Sequence, residues 1–461
     1  MSSADFFSLK LSRDLLSNLD SLGYKEMTSI QSLSLPLILA NKDLIGQGKT
    51  GSGKTAAFGL GIINKLDIKS FKPQSIVICP TRELAEQVAE EVRRLARKVS
   101  NVKVITLCGG SPLVPQIASL RHRTHVIVGT PGRIEEHLRK DTLDLNGINM
   151  LVLDEADRML DMGFQESIEK IVSKLPLKRQ TLLFSATFPE EINIIASNIM
   201  NNPIKVKSES VHKEKTIKQF FYKTNSFEDR MIALRILLSK RKLESVLVFC
   251  NTKKETKEVA NELNNFGHYA LAIHGDLDQR DRDQSLIRFT NKSASVLVAT
   301  DVAARGLDID SLDMVVNYKI AHNPEIHIHR IGRTGRAGRV GIACTLCSDK
   351  EVRKIEEWDF DEYSENFFDD LPSHDYLSKP PKKPAMITIK IDGGKKQKLR
   401  PGDIVGGVTG DGLIGGDKIG KIHVANNWSY VAVRTDIAKD VLRKIKSDRL
   451  KGKNFRARIL S

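Results

Sequence analysis

Cysteine is scarce in this chain, with five in 461 residues, at positions 79, 108, 250, 344 and 347. So few cannot staple a fold of this size, and their scatter suits a reducing compartment. Cys344 and Cys347 form a C-x-x-C pair. No second pair follows at zinc spacing, and 342–346 reads as a buried strand, so no metal or redox role is expected there. Long apolar runs are also missing: none approaches the ~18 residues of a membrane-spanning helix. Residues 1–10 hold an acid and lack the basic-then-apolar order of a signal peptide. A cytoplasmic protein is expected.

Acid is the charge in deficit. Lys and Arg number 72 against 57 Asp and Glu, a formal net charge of +15. A surplus of this size suits a polyanionic partner, although a merely soluble basic protein has the same balance. The surplus is uneven. Residues 384–461 hold 17 Lys and Arg against 7 Asp and no Glu, so +10 of the +15 lies there. Residues 356–378 hold nine acids and no Lys or Arg. An acidic connector followed by a basic module is the reading.

The length allows two or three domains at roughly 100–200 residues each. Short apolar runs at 75–79, 125–128, 150–153 and 181–184 alternate with helical patterns, and the rhythm restarts at 245–249, 269–273, 295–299 and 314–316. This βαβα order predicts two α/β domains with parallel sheets, joined across the polar stretch 205–218. The proline-rich run 379–384 suits an extended linker. Beyond it, strands near 386–391, 419–424, 429–433 and 454–460 bracket helices near 401–407 and 437–447. That β-α-β-β-α-β order is the ferredoxin-like arrangement of RRM domains.

Gly48-Lys49-Thr50-Gly51-Ser52-Gly53-Lys54-Thr55 fits the phosphate-binding loop G-x-x-x-x-G-K-[ST]. Its backbone amides cradle phosphates, Lys54 reaches the β- and γ-phosphates, and Thr55 ligates Mg²⁺. Gly46-Gln-Gly48-Lys-Thr-Gly51 also satisfies G-x-G-x-x-G. The dinucleotide reading then needs an acid at the end of the next strand, which instead ends at Cys79-Pro80, and it leaves Lys54-Thr55 unexplained. Asp154, closing an apolar strand, is placed to hold Mg²⁺ through water, and Glu155 to activate the attacking water. Arg333 and Arg336, three apart, are candidate cations for the γ-phosphate. Alone, they would read as a solvated basic loop.

Asp154-Glu155-Ala156-Asp157 is the name-giving motif of the DEAD-box RNA helicases, and about residues 5–350 resemble that family motif by motif. The resemblance implies adenine selection by Gln31, with Phe7 as its aromatic partner. It implies RNA contacts at Thr81 and Arg82, Gly110, Thr130 and Arg133 in the first domain, and at Arg282 and Thr300 in the second. Ser185 and Thr187 belong to the segment that links hydrolysis to strand separation, and Gly306 and Asp308 to a motif closing on the nucleotide. Met27 stands where proline is usual and Gly48 where alanine is usual; neither removes a contact.

Residues 386–461 resemble the C-terminal domain of the DbpA subfamily, notably at 391–396, 400–403, 419–422 and 451–453. That likeness implies a 23S rRNA hairpin and pre-50S particles as partners. The tail lacks an RNP1 motif, and its aromatics are Trp428, Tyr430 and Phe455. Lys395, Lys396 and Arg400 are therefore expected to grip folded RNA by phosphate and shape, more than by base stacking. For Trp428 and Tyr430 an ordinary hydrophobic strand role stays open.

The expectation is two RecA-like domains (1–208 and 216–357), a connector (358–384) and an RRM-like domain (385–461). The chain is read as a monomeric ATP- and Mg-dependent RNA helicase that opens short rRNA duplexes. An ATP-gated RNA clamp, a general RNA chaperone and a DNA translocase are the alternatives.

Overall fold

The structure, a computed structural model, describes residues 5–48, 51–70, 72–188, 190–208, 217–241, 243–304, 312–335, 340–358, 369–410, 412–447 and 450–460. Two compact units divide the chain, one built on the first parallel sheet and one holding the second and the C-terminal sheets.

The first sheet contains β1 (Leu44–Gln47), β2 (Ser75–Ile78), β3 (Val104–Leu107), β4 (Val126–Gly129), β5 (Met150–Asp154), β6 (Gln180–Ser185) and β7 (Ile204–Lys207), in the order β3-β4-β2-β5-β6-β1-β7. Every pairing is parallel. Successive side chains of a strand point to opposite faces. Val77, Val128, Met150, Val152 and Leu182 therefore enter one core, and Ile76, Ile78, Ile127, Leu151 and Leu153 the other. Burial on both faces is why these strands read as unbroken apolar runs.

The second sheet contains β8 (Ile217–Lys223), β9 (Val246–Cys250), β10 (Ala270–Ile273), β11 (Val296–Thr300), β12 (Met314–Asn317) and β13 (Gly341–Cys347), in the order β10-β11-β9-β12-β13-β8, again all parallel. Cys344 and Cys347 lie buried in β13, in keeping with a strand role for the C-x-x-C pair.

The C-terminal sheet is antiparallel: β14 (Met386–Ile391), β15 (Ile419–Val424), β16 (Ser429–Arg434) and β17 (Ala457–Ile459), ordered β15-β16-β14-β17. Helices Pro401–Thr409 and Ala438–Ser447 cover one face, where Ile389, Ile391, Val431 and Val433 meet Ile404, Val408, Val441 and Ile445. This is the predicted ferredoxin-like order.

The described part of the connector is not a free tether. Asp369 bonds the backbone of edge strand β8 twice, its N–H donating to Phe221 O (2.8 Å) and its carboxylate accepting from Phe221 N (3.1 Å). Leu371 packs into the second-sheet core, and the turn His374–Ser378 lies on helix Phe227–Arg241. Glu244 binds both Lys292 (2.8 Å) and Lys382 (3.1 Å), fastening the connector's far end to the same domain.

Candidate nucleotide and RNA sites

In parallel sheets, ligands gather at the carboxyl ends of the strands. Here the P-loop follows β1, Asp154 ends β5 and Ser185 ends β6, three adjacent strands. Gly48 N–H donates to Ser185 O at 3.0 Å, so loop and strand share one edge. Gly53 has φ +96°, and a Cβ there would sit 2.5 Å from Gln31 Nε2, so only glycine fits.

Gln31 is buried and engaged. Its carbonyl accepts from Thr28 N (2.9 Å) and its amide donates to Gly53 O (3.1 Å), while Thr28 Oγ1 donates to Ser52 O (2.7 Å). The Q-motif residues thus brace the P-loop from behind, a role the sequence reading did not assign. Phe7 is 60% exposed on a short 3-10 turn whose cap is Asp5, open for stacking, while Phe6 is buried edge-on to Tyr24.

Lys54 opens helix Lys54–Lys65 and donates to Gly48 O at 2.5 Å. Thr55 follows on the same turn. Asp154 is buried, and its Oδ1 has no hydrogen-bond partner among the described residues. Burial raises its pKa to about 7; Lys54 works against that rise and Glu155 adds to it. An unpaired buried carboxylate oxygen beside a phosphate loop is chemically suited to a cation.

Glu155 holds φ +54°, uncommon for a side chain of its kind. Its carboxylate pairs with buried Arg158 at 2.8 Å. Asp157 reaches the next strand's loop: its Oδ2 accepts from Ala186 N (3.2 Å), Thr187 N (2.9 Å) and Thr187 Oγ1 (2.8 Å). Burial pushes its pKa up, but these bonds, Ser185 and Arg158 overcome that and leave it lowered. Asp157 is therefore the physical link between the Asp154–Glu155 pair and Ser185–Thr187. The sequence reading quoted it only as the motif's last letter.

The Asp154 shift has a testable consequence for the protein without nucleotide. A carboxyl whose folded pKa stands above its unfolded value of 3.8 loses stability as pH rises between the two. Asp154→Asn removes the burden. Its melting temperature should exceed the native one at pH 8, and the gap should shrink toward pH 4. At ~1.4 kcal/mol per pH unit and ~2–4 °C per kcal/mol, the gap grows by roughly 3–6 °C per unit between 4 and 7. A pH-independent gap, measured by calorimetry without Mg²⁺, contradicts the assignment.

The candidate RNA residues of the first unit follow β2, β3 and β4, the other half of the same sheet edge. Thr81 caps helix Arg82–Leu95 through Leu84 N. Gly110 (φ +75°) presses so close to the Arg82 guanidinium that any side chain would collide with it. Arg133 donates to Ser111 O (2.9 Å) and pairs with Glu136 (3.0 Å), tying the loops after β3 and β4 together.

In the second unit, Thr300 ends β11, and Arg282 lies in the first turn of helix Gln279–Thr290 after β10. Helix Pro324–Ile331 ends before Arg333, which belongs to the turn that follows. Arg333 is buried. Three residues earlier, fully buried Arg330 saturates its guanidinium: Asp301 at 2.6 and 2.7 Å, Asn251 Oδ1 at 2.8 Å and Lys319 O at 2.9 Å. It thereby ties the helix to the ends of β9, β11 and β12, a positioning role the sequence reading missed. Lys49, Thr50, Gly306, Asp308 and Arg336 lie outside the described residues. Lys395, Lys396 and Arg400 are exposed around a 3-10 turn (Lys395–Gln397) at the start of helix Pro401–Thr409.

A P-loop, a buried acidic pair and a second parallel-sheet domain define a P-loop NTPase motor. Family models refine that class: DEAD/DEAH box helicase over residues 28–195, helicase conserved C-terminal domain over 228–338 and DbpA RNA binding domain over 388–459. The chain belongs to the DEAD-box ATP-dependent RNA helicases, in the branch with a DbpA RNA-binding domain. It is 49% identical over 455 residues to the ATP-dependent RNA helicase DbpA of Escherichia coli (strain K12), covering 96% of this chain and 97% of that one. DbpA of Bacillus subtilis (strain 168) is 35% identical over 477 residues, covering 98% of each. Among solved structures, S. cerevisiae Dbp5 bound to RNA and ADP BeF3 matches with TM-score 0.70 and 31% identity, over 78% of this chain and 95% of that one. The enzyme is an ATP-hydrolysing RNA helicase with an RNA-binding C-terminal domain. No helix of the described residues is long and apolar enough to cross a membrane.

Proposed function

We propose that the enzyme opens short duplexes in large-subunit ribosomal RNA, anchored by its basic tail on 23S rRNA within pre-50S particles, and acts as a cytoplasmic monomer. In this reading residues 1–208 and 216–357 are the two halves of the motor, 358–384 the connector and 385–461 the anchor. The observation that carries the motor is the bonded path that joins the P-loop to the motif's last acid: Gly48 N–H donates to Ser185 O, Asp157 N–H donates to Ser185 Oγ, and Thr187 donates to Asp157 Oδ2. The 49% identity to E. coli DbpA along nearly the whole chain supports the rRNA anchor.

The unpaired Asp154 oxygen supports Mg²⁺ as cofactor, held by Thr55 and, through water, by Asp154. When bound, Mg²⁺ neutralises charge on the β- and γ-phosphate oxygens. Lys54 exchanges Gly48 O for a phosphate oxygen. Glu155 accepts the proton of the water that attacks the γ-phosphorus as the bond to ADP breaks. Arg333 and Arg336 stabilise the charge of that transfer. Asp157 carries the change to Thr187, and Arg82, Gly110, Thr130, Arg133, Arg282 and Thr300 grip one strand. A strand held bent cannot stay in an A-form helix, so a short duplex loses its pairs.

Lys54→Ala tests the motor. It should abolish RNA-stimulated ATP turnover and duplex release, with tail-dependent rRNA binding preserved. Turnover retained within a few-fold contradicts the assignment. Normal turnover without duplex release in the native enzyme would instead favour the ATP-gated clamp.

A further inference from the structure

Helix Leu113–Leu120, in the first helicase domain, follows the loop after β3. It buries one side chain, Gln116, while Leu113, Ile117 and Leu120 are only partly buried. Hiding an amide ahead of leucines runs against ordinary burial. A polar group so placed needs its bonds met inside the protein, and those of Gln116 are. Its Nε2 donates to Cys108 O at 3.0 Å, and its Oε1 lies 3.0 Å from Nε2 of His137. His137 is fully buried in the last turn of helix Pro131–Arg139. Its Nδ1 lies 2.8 Å from Thr142 Oγ1.

The proton positions follow from the partners. Cys108 O only accepts, so the Gln116 amide faces it and the Gln116 carbonyl faces His137. His137 Nε2 therefore carries a proton. Burial lowers the pKa of the ring, Arg133 and Lys140 add to that and Glu136 opposes it, which favours the neutral form. Nδ1 then accepts from the Thr142 hydroxyl. The other acceptor near that hydroxyl, His137 O, is already served by Thr142 N at 3.0 Å. One directed chain thus runs from Thr142 through His137 and Gln116 to the backbone of Cys108. Cys108 directly precedes Gly109-Gly110, where Gly110 (φ +75°) lies against the Arg82 guanidinium. At its other end the chain holds the helix that starts after Thr130 and carries Arg133. Arg133 joins the two loops directly, through Ser111 O at 2.9 Å. Gln116 and His137 join them from within the domain.

We propose that Gln116 and His137 are positioning residues for RNA binding: their buried bond locks the loop after β3 to the helix after β4, so that Gly110, Thr130 and Arg133 meet one strand as a preformed cradle. This deepens the proposed function and rests on its reading of those three residues as RNA contacts. Both side chains are buried and act only through the loops they hold. A cradle ordered before RNA arrives loses less freedom when RNA binds, so the pair contributes to RNA affinity and not to the chemical step.

The test titrates the ATPase of the full chain with an unstructured homopolymer RNA. Gln116→Leu and His137→Leu remove the bond from either side. Each should raise the RNA concentration for half-maximal stimulation by roughly tenfold, while kcat at saturating RNA and KM for ATP stay within about twofold. The double variant should be no worse than the worse single one, because both remove the same bond. His137→Gln keeps a donor toward Gln116 and should recover most of the loss, which a role in stability alone would not produce. Half-saturation within about twofold of native in both single variants overturns the proposal. So does a fall in kcat with half-saturation unchanged, or additive losses in the double variant. If one Leu variant loses its cooperative melt, the other and Gln116→Met decide. Arg133→Ala separates the two levels, since it removes a proposed RNA contact itself. If it leaves half-saturation unchanged, the reading of these loops as RNA contacts has failed and the proposal falls with it. If it raises half-saturation while the buried variants do not, the positioning role alone is overturned.

Discussion

Glu155→Gln lowers steady-state ATP turnover by roughly 10²–10⁴-fold, the range general-base removal costs, while ATP and RNA binding persist. The substitution keeps the shape of a side chain that sits at φ +54° beside Arg158. The amide oxygen still accepts from Arg158, so the backbone and the P-loop stay in place. What disappears is the proton acceptor for the attacking water. ATP and RNA then accumulate on an enzyme that cannot proceed, and RNA dissociates more slowly in ATP than from the native protein. Turnover within threefold of native, in a variant of unchanged melting temperature, contradicts the role given to Glu155.

Replacing Lys395, Lys396 and Arg400 together by Ala weakens binding of large-subunit rRNA by about 10²-fold near physiological salt, and lowers the slope of log affinity against log salt by about 3, one for each phosphate contact. All three are exposed, so their loss leaves no buried charge and no cavity. Neighbouring Lys451, bonded to Lys398 O and Asp403, serves as the control: its Nζ is already engaged within the fold. The ATPase driven by saturating unstructured RNA stays near native, because the motor's own contacts are untouched. Filter binding across a salt series decides it. An unchanged slope means these side chains do not meet phosphate.

The motor was legible in the sequence because its signals are local. The P-loop fits eight consecutive residues, and the acidic pair follows an apolar run long enough to mark β5. Strand β1 was harder to see: four residues with Gly46 among them, where the Phe184 ring of β6 fills the space of a side chain. Gln31 was legible as a Q-motif residue, but its bonds to Thr28 and Gly53 were not, since they depend on how a helix meets a loop 22 residues away. Asp157 and Arg330 were hidden for the same reason. Their partners sit on other strands, and one carboxylate or one guanidinium in a sequence does not say what it satisfies.

The tail's fold was readable from its alternation, its docking was not. Thr388 and Tyr430 look in sequence like the wet side of a half-exposed strand. The partners that bury Thr388 sit on a turn almost a hundred residues earlier. The connector's packing was hidden in a similar way: acid and proline suit an extended linker, but they do not say that Asp369 pairs with a strand edge or that Leu371 finds a core.

The most direct test of the account is steady-state ATPase activity of the full chain and of a chain ending before residue 385, with large-subunit rRNA, small-subunit rRNA and a random duplex side by side. The account predicts strong preference of the full chain for large-subunit rRNA and equal, weaker stimulation of the shortened chain by all three. Equal stimulation of the full chain by all three would contradict it, leaving an RNA helicase whose tail adds only unselective grip.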